Sequence, residues 1–187
     1  MGYGIENMNK VLIINICKEK LHYFEFVKPI EDILKNNRIK FKTLNYKKIN
    51  RAKLMDYGKI IICGTSLKDD NYLNTDFSWI KNTSKPVLGI CAGMQIICLV
   101  FKEKLKKKIE IGFYKENFKR KFLGLRGEKE VYHIHNNYTS LPKDFEKFTN
   151  SKIPQAIKHK DKEIYGALFH PEVRNKELIL NFVNKNY

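Results

Sequence analysis

Three residues have the types and spacing for nucleophilic chemistry at a carbonyl: Cys91, His170 and Glu172. Cys91 stands in Pro86-Val-Leu-Gly-Ile-Cys-Ala-Gly-Met-Gln-Ile-Ile-Cys98, where an apolar, strand-like run passes straight into a helix-like one. A strand–turn–helix elbow projects the residue at its apex out of the sheet and turns the following backbone N–H groups toward the same space. The positive end of that helix favours a thiolate and an oxyanion. Gly89 and Gly93 flank the cysteine where side chains would collide, and G-x-C-x-G is the thiol counterpart of the G-x-S-x-G nucleophile elbow. The candidate base is His170 in Leu168-Phe-His-Pro-Glu-Val173, at the end of another apolar run. Pro171 pushes His170 toward extended backbone, in which Glu172 would lie on the same side, bond one ring nitrogen and leave the other facing the thiol.

The remaining thiols and imidazoles read differently. Cys63 and Cys98 fall on a strand and a helix body and are expected to be small buried hydrophobes. His22 and His159 read as surface groups. His133-Ile-His135 suggests a metal pair on one strand face, but no cysteine or carboxylate stands beside it at ligand spacing, so no metal and no cofactor are expected.

These residues need a scaffold, and apolar periodicity supplies one. Residues 10–17 form a strand, 24–34 an amphipathic helix tolerating Pro29 in its early turns, and 38–45 the next strand, which makes a β-α-β unit. A short helix at 50–57, a strand at 59–63 ending in Gly64-Thr65-Ser66, and a strand at 87–90 entering the elbow follow. Strands separated by helix-length connections imply a mostly parallel sheet covered by helices on both faces, with the site beyond the carboxyl ends of the strands. After Lys108 the texture changes: 109–113, 118–125, 130–135, 153–159 and 163–168 read as short antiparallel or mixed strands that extend the sheet or form a small subsheet. A helix at 174–184 closes a single domain spanning 1–187, with residues 1–9 as a leader in which Met8 is an alternative start.

Composition narrows the class without naming the activity. The apolar runs are strand-length, which argues against a membrane-spanning helix, and residues 1–10 lack the apolar core of a signal peptide. Four cysteines without framework spacing suit reduced thiols and a cytoplasmic location. The net charge of +16 arises from 36 Lys and Arg against 20 Asp and Glu spread along the chain. The densest run, Lys102–Lys108, reads as an exposed helix end and turn without the interleaved aromatics of a single-strand binder. A solvated basic face is the simpler reading, and nucleic acid is not an expected partner.

Gly89-Ile-Cys-Ala-Gly-Met-Gln95 together with Phe169-His-Pro-Glu-Val173 resembles the class I, triad-type glutamine amidotransferases, whose hallmark is a G-x-C-x-G-x-Q elbow and a distant H-P-E. The resemblance runs from the first strand to the closing helix and implies a flavodoxin-like α/β fold. It implies that Cys91 attacks the side-chain amide of glutamine, giving a thioester and free ammonia, with His170 moving protons and Glu172 orienting it. Backbone N–H groups of Ala92 and of the turn at Gly64 and Thr65 would form the oxyanion hole. Gln95, Ile134, Asn136 and Asn137 would hold the substrate, and a synthetase subunit would receive the ammonia. Size and layout resemble the glutaminase subunit of archaeal-type GMP synthase. The chain departs from the family in three places. Gly64-Thr65-Ser66 replaces a Gly-Gly-Pro turn, so low activity is expected until a partner reshapes it; Ala92 replaces a common Leu; and Arg174-Asn-Lys replaces a His-Thr-containing tract. Two other functions fit the same fold: a γ-glutamyl hydrolase or peptidase, and a non-catalytic anion-binding or nucleic-acid-associated protein.

Overall fold

Runs of β-branched residues make the centre of the fold. In the computed structural model, which describes residues 10–187, β1 (Val11–Asn15) is followed by α1 (Lys20–Phe26), α2 (Lys28–Asn36) and β2 (Phe41–Asn45). Next come α3 (Arg51–Met55), β3 (Lys59–Ile62), α4 (Trp79–Asn82) and β4 (Val87–Ile90), which runs into α5 (Ala92–Val100). The long strands β5 (Leu105–Phe122) and β6 (Leu125–Thr139) precede the short β7 (Phe145–Lys147), β8 (Ala156–His159) and β9 (Ile164–Ala167), and α6 (Lys176–Asn184) closes the chain. The expectations for residues 1–9 lie outside the described residues.

The main sheet has the order β2-β1-β3-β4-β9-β8-β7. Its first five members are parallel, and β8 and β7 extend it antiparallel. This is the flavodoxin-like order with an antiparallel edge. Both faces are buried, and the alternation of side chains divides each strand between two cores. Val11, Ile13, Ile61 and Leu88 pack with Phe26, Leu34 and Phe182 on one face. Leu12, Ile14, Ile60, Ile62 and Val87 pack with Leu54, Ile80 and Ile97 on the other. No helix among the described residues is long and apolar enough to cross a membrane.

Several boundaries differ from the sequence expectations, for physical reasons. The helix expected over 24–34 is two, because Pro29 lies in the first turn of α2, where its missing N–H costs nothing, and the chain bends at Val27. Lys102–Lys108 begins in the turn that ends α5, as expected, but from Leu105 it is strand, so Lys106, Lys107 and Lys108 sit exposed on β5. The segments 109–113, 118–125 and 130–135 are not separate strands either. They belong to one antiparallel β5–β6 ribbon whose two-residue turn, Leu123-Gly124, has positive φ at both positions (45° and 96°), as primed hairpin turns require. Phe118, Phe122, Leu125 and Val131 anchor the ribbon to the core, and Lys119 N–H bonds Phe148 O at 2.9 Å.

Candidate active site

The elbow is built by close backbone packing. β4 is buried throughout, and at its end Cys91 turns the chain with φ 50° and ψ −107°. Positive φ at a non-glycine residue is strained by about 1–3 kcal/mol and persists only where the surroundings over-determine it. They do so here. A Cβ on Gly93 would lie 2.2 Å from the Ile62 carbonyl oxygen, and one on Gly89 would lie 2.5 Å from the Gly93 backbone. Cys91 N–H donates to Ala167 O at 2.7 Å, and Cys91 O accepts from Gln95 N–H at 3.1 Å as the first bond of the helix. The thiol emerges above the sheet and points at the Ile134 carbonyl, 3.6 Å away.

His170 arrives from the end of β9. Its N–H donates to Tyr132 O at 2.8 Å, which ties the loop to β6, and its Nδ1 lies 2.7 Å from Glu172 Oε1. Both side chains are about 1% exposed. The backbone that brings them together is not the extended one expected: residues 171–173 form a turn, with Val173 N–H bonded to His170 O. Burial disfavours the imidazolium, but the charges of Glu172 and Cys91 outweigh it and hold the His170 pKa well above its ordinary value. A hydrogen-bonding contact with the Cys91 thiol adds to that rise, and among the described residues Nε2 has no other partner. The other thiols are held protonated by burial: Cys17 is pushed up to about 11, Cys98 to about 12 and Cys63 well above the usual range.

The turn after β3 closes over this pair. A Cβ on Gly64 would stand 2.6 Å from His170 Cε1 and 3.3 Å from Cys91 Cβ, so only glycine lets the turn pack against the ring. Thr65 donates its hydroxyl to Asp69 Oδ2 at 2.6 Å, and the same oxygen accepts from Lys18 N–H at 3.0 Å and meets His22 Nδ1 at 2.8 Å. Burial raises the Asp69 pKa, but these donors and the His22 charge prevail and keep it below the usual carboxylate value. Sequence reasoning missed Asp69; the one available signal was its place four residues beyond Thr65. It also took His22 for a surface group, whereas His22 braces the turn. His159 is likewise buried, packed between Phe101 and Phe145.

Ser66, Tyr72, Cys91, Gln95, Ile134 and Asn136 are among the residues lining a cavity of about 20 Å3. That is room for about one water molecule, not for an amino-acid side chain. Hydrogen bonds narrow it. Asn136 Nδ2 donates to Leu67 O at 3.1 Å, and Gln95 Nε2 donates to Asn137 O at 3.0 Å while its Oε1 accepts from Tyr72 at 3.3 Å. The structure therefore gathers Cys91, Ala92, Gly64, Thr65, Gln95, Ile134, Asn136, Asn137, His170 and Glu172 around one point. Gln95, expected to contact substrate, has both ends of its amide engaged by protein.

His133 and His135 lie beside this cavity, and His135 is among the residues that line it. They point the same way from β6, and pairing with β5 brings Glu110 opposite His135. The carboxylate that the sequence lacked at ligand spacing thus comes from the neighbouring strand. Burial lowers the His133 pKa to about 3 and that of His135 to about 4, which keeps both rings neutral.

Known proteins are similar to this chain along most of its length. Residues 22–186 match the family model for class-I glutamine amidotransferases. The chain is 39% identical over 124 residues to a subunit of the glutamine-hydrolyzing GMP synthase of Methanosphaera stadtmanae, covering 58% of this chain and 66% of that one. The corresponding protein of Methanobrevibacter smithii is 35% identical over 52% of this chain and 55% of its own length. The matched stretches thus span between about half and two thirds of those relatives. A crystal structure provisionally assigned as a GMP synthase subunit of Thermoplasma acidophilum shares the fold, with a TM-score of 0.80 over 93% of this chain and 92% of that one, at 24% identity. The chain belongs to the class-I glutamine amidotransferase family.

Proposed function

We propose that the chain, as a single domain over 1–187, is a glutaminase that hydrolyses glutamine to glutamate and ammonia for a partner synthetase, with Cys91, His170 and Glu172 as its triad. The observation that carries this is the Cys91 thiol on a strained elbow, beside a His170 whose Nδ1 is held 2.7 Å from a buried carboxylate. Cys91 gives its proton to His170 Nε2 and attacks the side-chain amide carbon of glutamine. The tetrahedral oxyanion is stabilised by the N–H of Ala92 at the start of α5 and by N–H groups of the Gly64-Thr65 turn. His170 then protonates the leaving nitrogen, and ammonia departs from a γ-glutamyl thioester. Water, deprotonated by His170, opens the thioester to release glutamate and restore the thiol.

The two archaeal GMP synthase subunits among the relatives favour a GMP synthase-type synthetase as the partner. The narrow cavity fits that arrangement. Parting of the Thr65–Asp69 turn from Asn136 widens it for glutamine, a change that a docked synthetase can drive by binding the wider form more tightly. Free thiols at all four cysteines suit a cytoplasmic setting. Glutamate release, measured with and without the synthetase, is expected to vanish in Cys91→Ala; unchanged turnover would overturn the assignment. Comparing glutamine with larger γ-glutamyl compounds in the same assay separates this activity from that of a γ-glutamyl hydrolase.

A further inference from the structure

We propose that Glu110, His133 and His135 form a binding site for one divalent transition-metal ion of the zinc class. The antiparallel register places Glu110 opposite His135, and His133, two residues back on β6, presents its ring to the same face. A β-bulge between Lys107 and Glu110 re-aims the carboxylate toward the rings.

The three ligand atoms are already spaced for an ion. His133 Nδ1 and His135 Nε2 are 3.1 Å apart, and Glu110 Oε2 is 3.1 Å from His135 Nε2 and 3.6 Å from His133 Nδ1. The point equidistant from atoms so placed lies about 1.9 Å from each. An ion slightly out of their plane therefore meets the roughly 2.0–2.1 Å that zinc adopts to imidazole nitrogen and carboxylate oxygen. Two imidazoles and a carboxylate form a borderline N/O donor set that suits zinc and its first-row neighbours better than magnesium or calcium.

The surroundings agree. Both rings are almost fully buried, and His135 also has backbone hydrogen-bonding contacts with Lys108 and Asn137. Gln155 Nε2 donates to Glu110 Oε2 at 3.0 Å, the supporting contact that orients a ligating carboxylate. Glu110 and Gln155 also line a cavity of about 610 Å3, whose wall includes Glu116 and the lysines Lys106, Lys108, Lys147 and Lys152. Ile134, whose carbonyl meets the Cys91 thiol, lies between the two histidines, so an ion there fixes the wall of the candidate active site.

The test uses the full chain carrying Cys91→Ala, which removes a competing thiol and separates this proposal from the glutaminase reading. Equilibrium dialysis against Zn2+ is expected to give one equivalent per chain. Co2+ is expected to give the visible bands of a four-coordinate N/O site without thiolate charge transfer. Glu110→Gln and His133→Leu should each weaken binding at least about tenfold. Substoichiometric binding, thiolate bands, or affinity unchanged by both substitutions would overturn the proposal. Should either variant fail to fold by circular dichroism, the cobalt spectrum of the Cys91→Ala chain decides alone.

Discussion

Cys91 and Glu110 both sit where a strand departs from regular geometry, yet the two departures are held in opposite ways. At the elbow the backbone is crowded on every side: a methyl group on Gly93 would strike the Ile62 carbonyl, and one on Gly64 would strike His170. In the β5–β6 ribbon, Gly112 faces open space, and Ile109, Ile111 and Phe113 are more than half exposed. The elbow owes its shape to local contact, so a single added carbon is felt at once. The ribbon owes its shape to register, so surface changes are tolerated while pairing persists.

This contrast can be broken in four places, in decreasing order of effect. Gly93→Ala forces β3 and α5 apart and is expected to cost about 3 kcal/mol or more, enough for a large fall in the urea midpoint; a midpoint near that of the wild type would show that the elbow is not crowded. Glu172→Gln leaves the shape but removes the charge, and kcat is expected to fall about 10²–10⁴-fold. The same variant has a pH signature. The folded pKa of His170 is raised, so its protonation contributes stability that is fully present below the unfolded value of about 6.5 and is lost as pH rises through the higher folded value. The stability gap between wild type and variant should therefore be widest below about pH 6.5 and narrow in alkali, a trend that denaturant titrations across pH would reveal.

Asn136→Ala unlocks the ribbon from the Leu67 carbonyl and is expected to change KM for glutamine several-fold with kcat little altered, the signature of a gate and not of a reacting group. The smallest effect belongs to Ile111→Ser on the exposed face of β5, where stability should move by no more than about 0.5 kcal/mol. A loss of several kcal/mol there would mean that the ribbon's outer face is part of the core after all.

The same contrast explains what could be read from the sequence. The elbow was legible because its glycines, cysteine and glutamine are contiguous, and the parallel sheet because β-branched runs such as Val11–Asn15 are bounded by helix-length connections. Residues 109–135 were not legible as one ribbon, since Gly112 and the lysine-rich stretches interrupt the apolar alternation while backbone pairing continues through them. Glu110 was invisible as a partner of His133 and His135, because a long hairpin and a bulge bring it opposite His135. The Asp69 brace was missed for a related reason: a lone carboxylate in a polar loop looks solvated until the fold buries it against Thr65, Lys18 and His22. His170 and Glu172 were paired for a sound chemical reason but by the wrong backbone, a turn having replaced the extended strand.

The proposed mechanism requires Cys91 to be the one thiol that meets glutamine. Incubating the chain and its synthetase with an electrophilic glutamine analogue, followed by peptide mass spectrometry, tests this most directly. The expected result is a single adduct on Cys91, prevented by excess glutamine and absent from Cys91→Ala. An unmodified Cys91 in the complex, or an adduct on Cys17, Cys63 or Cys98 instead, would contradict it.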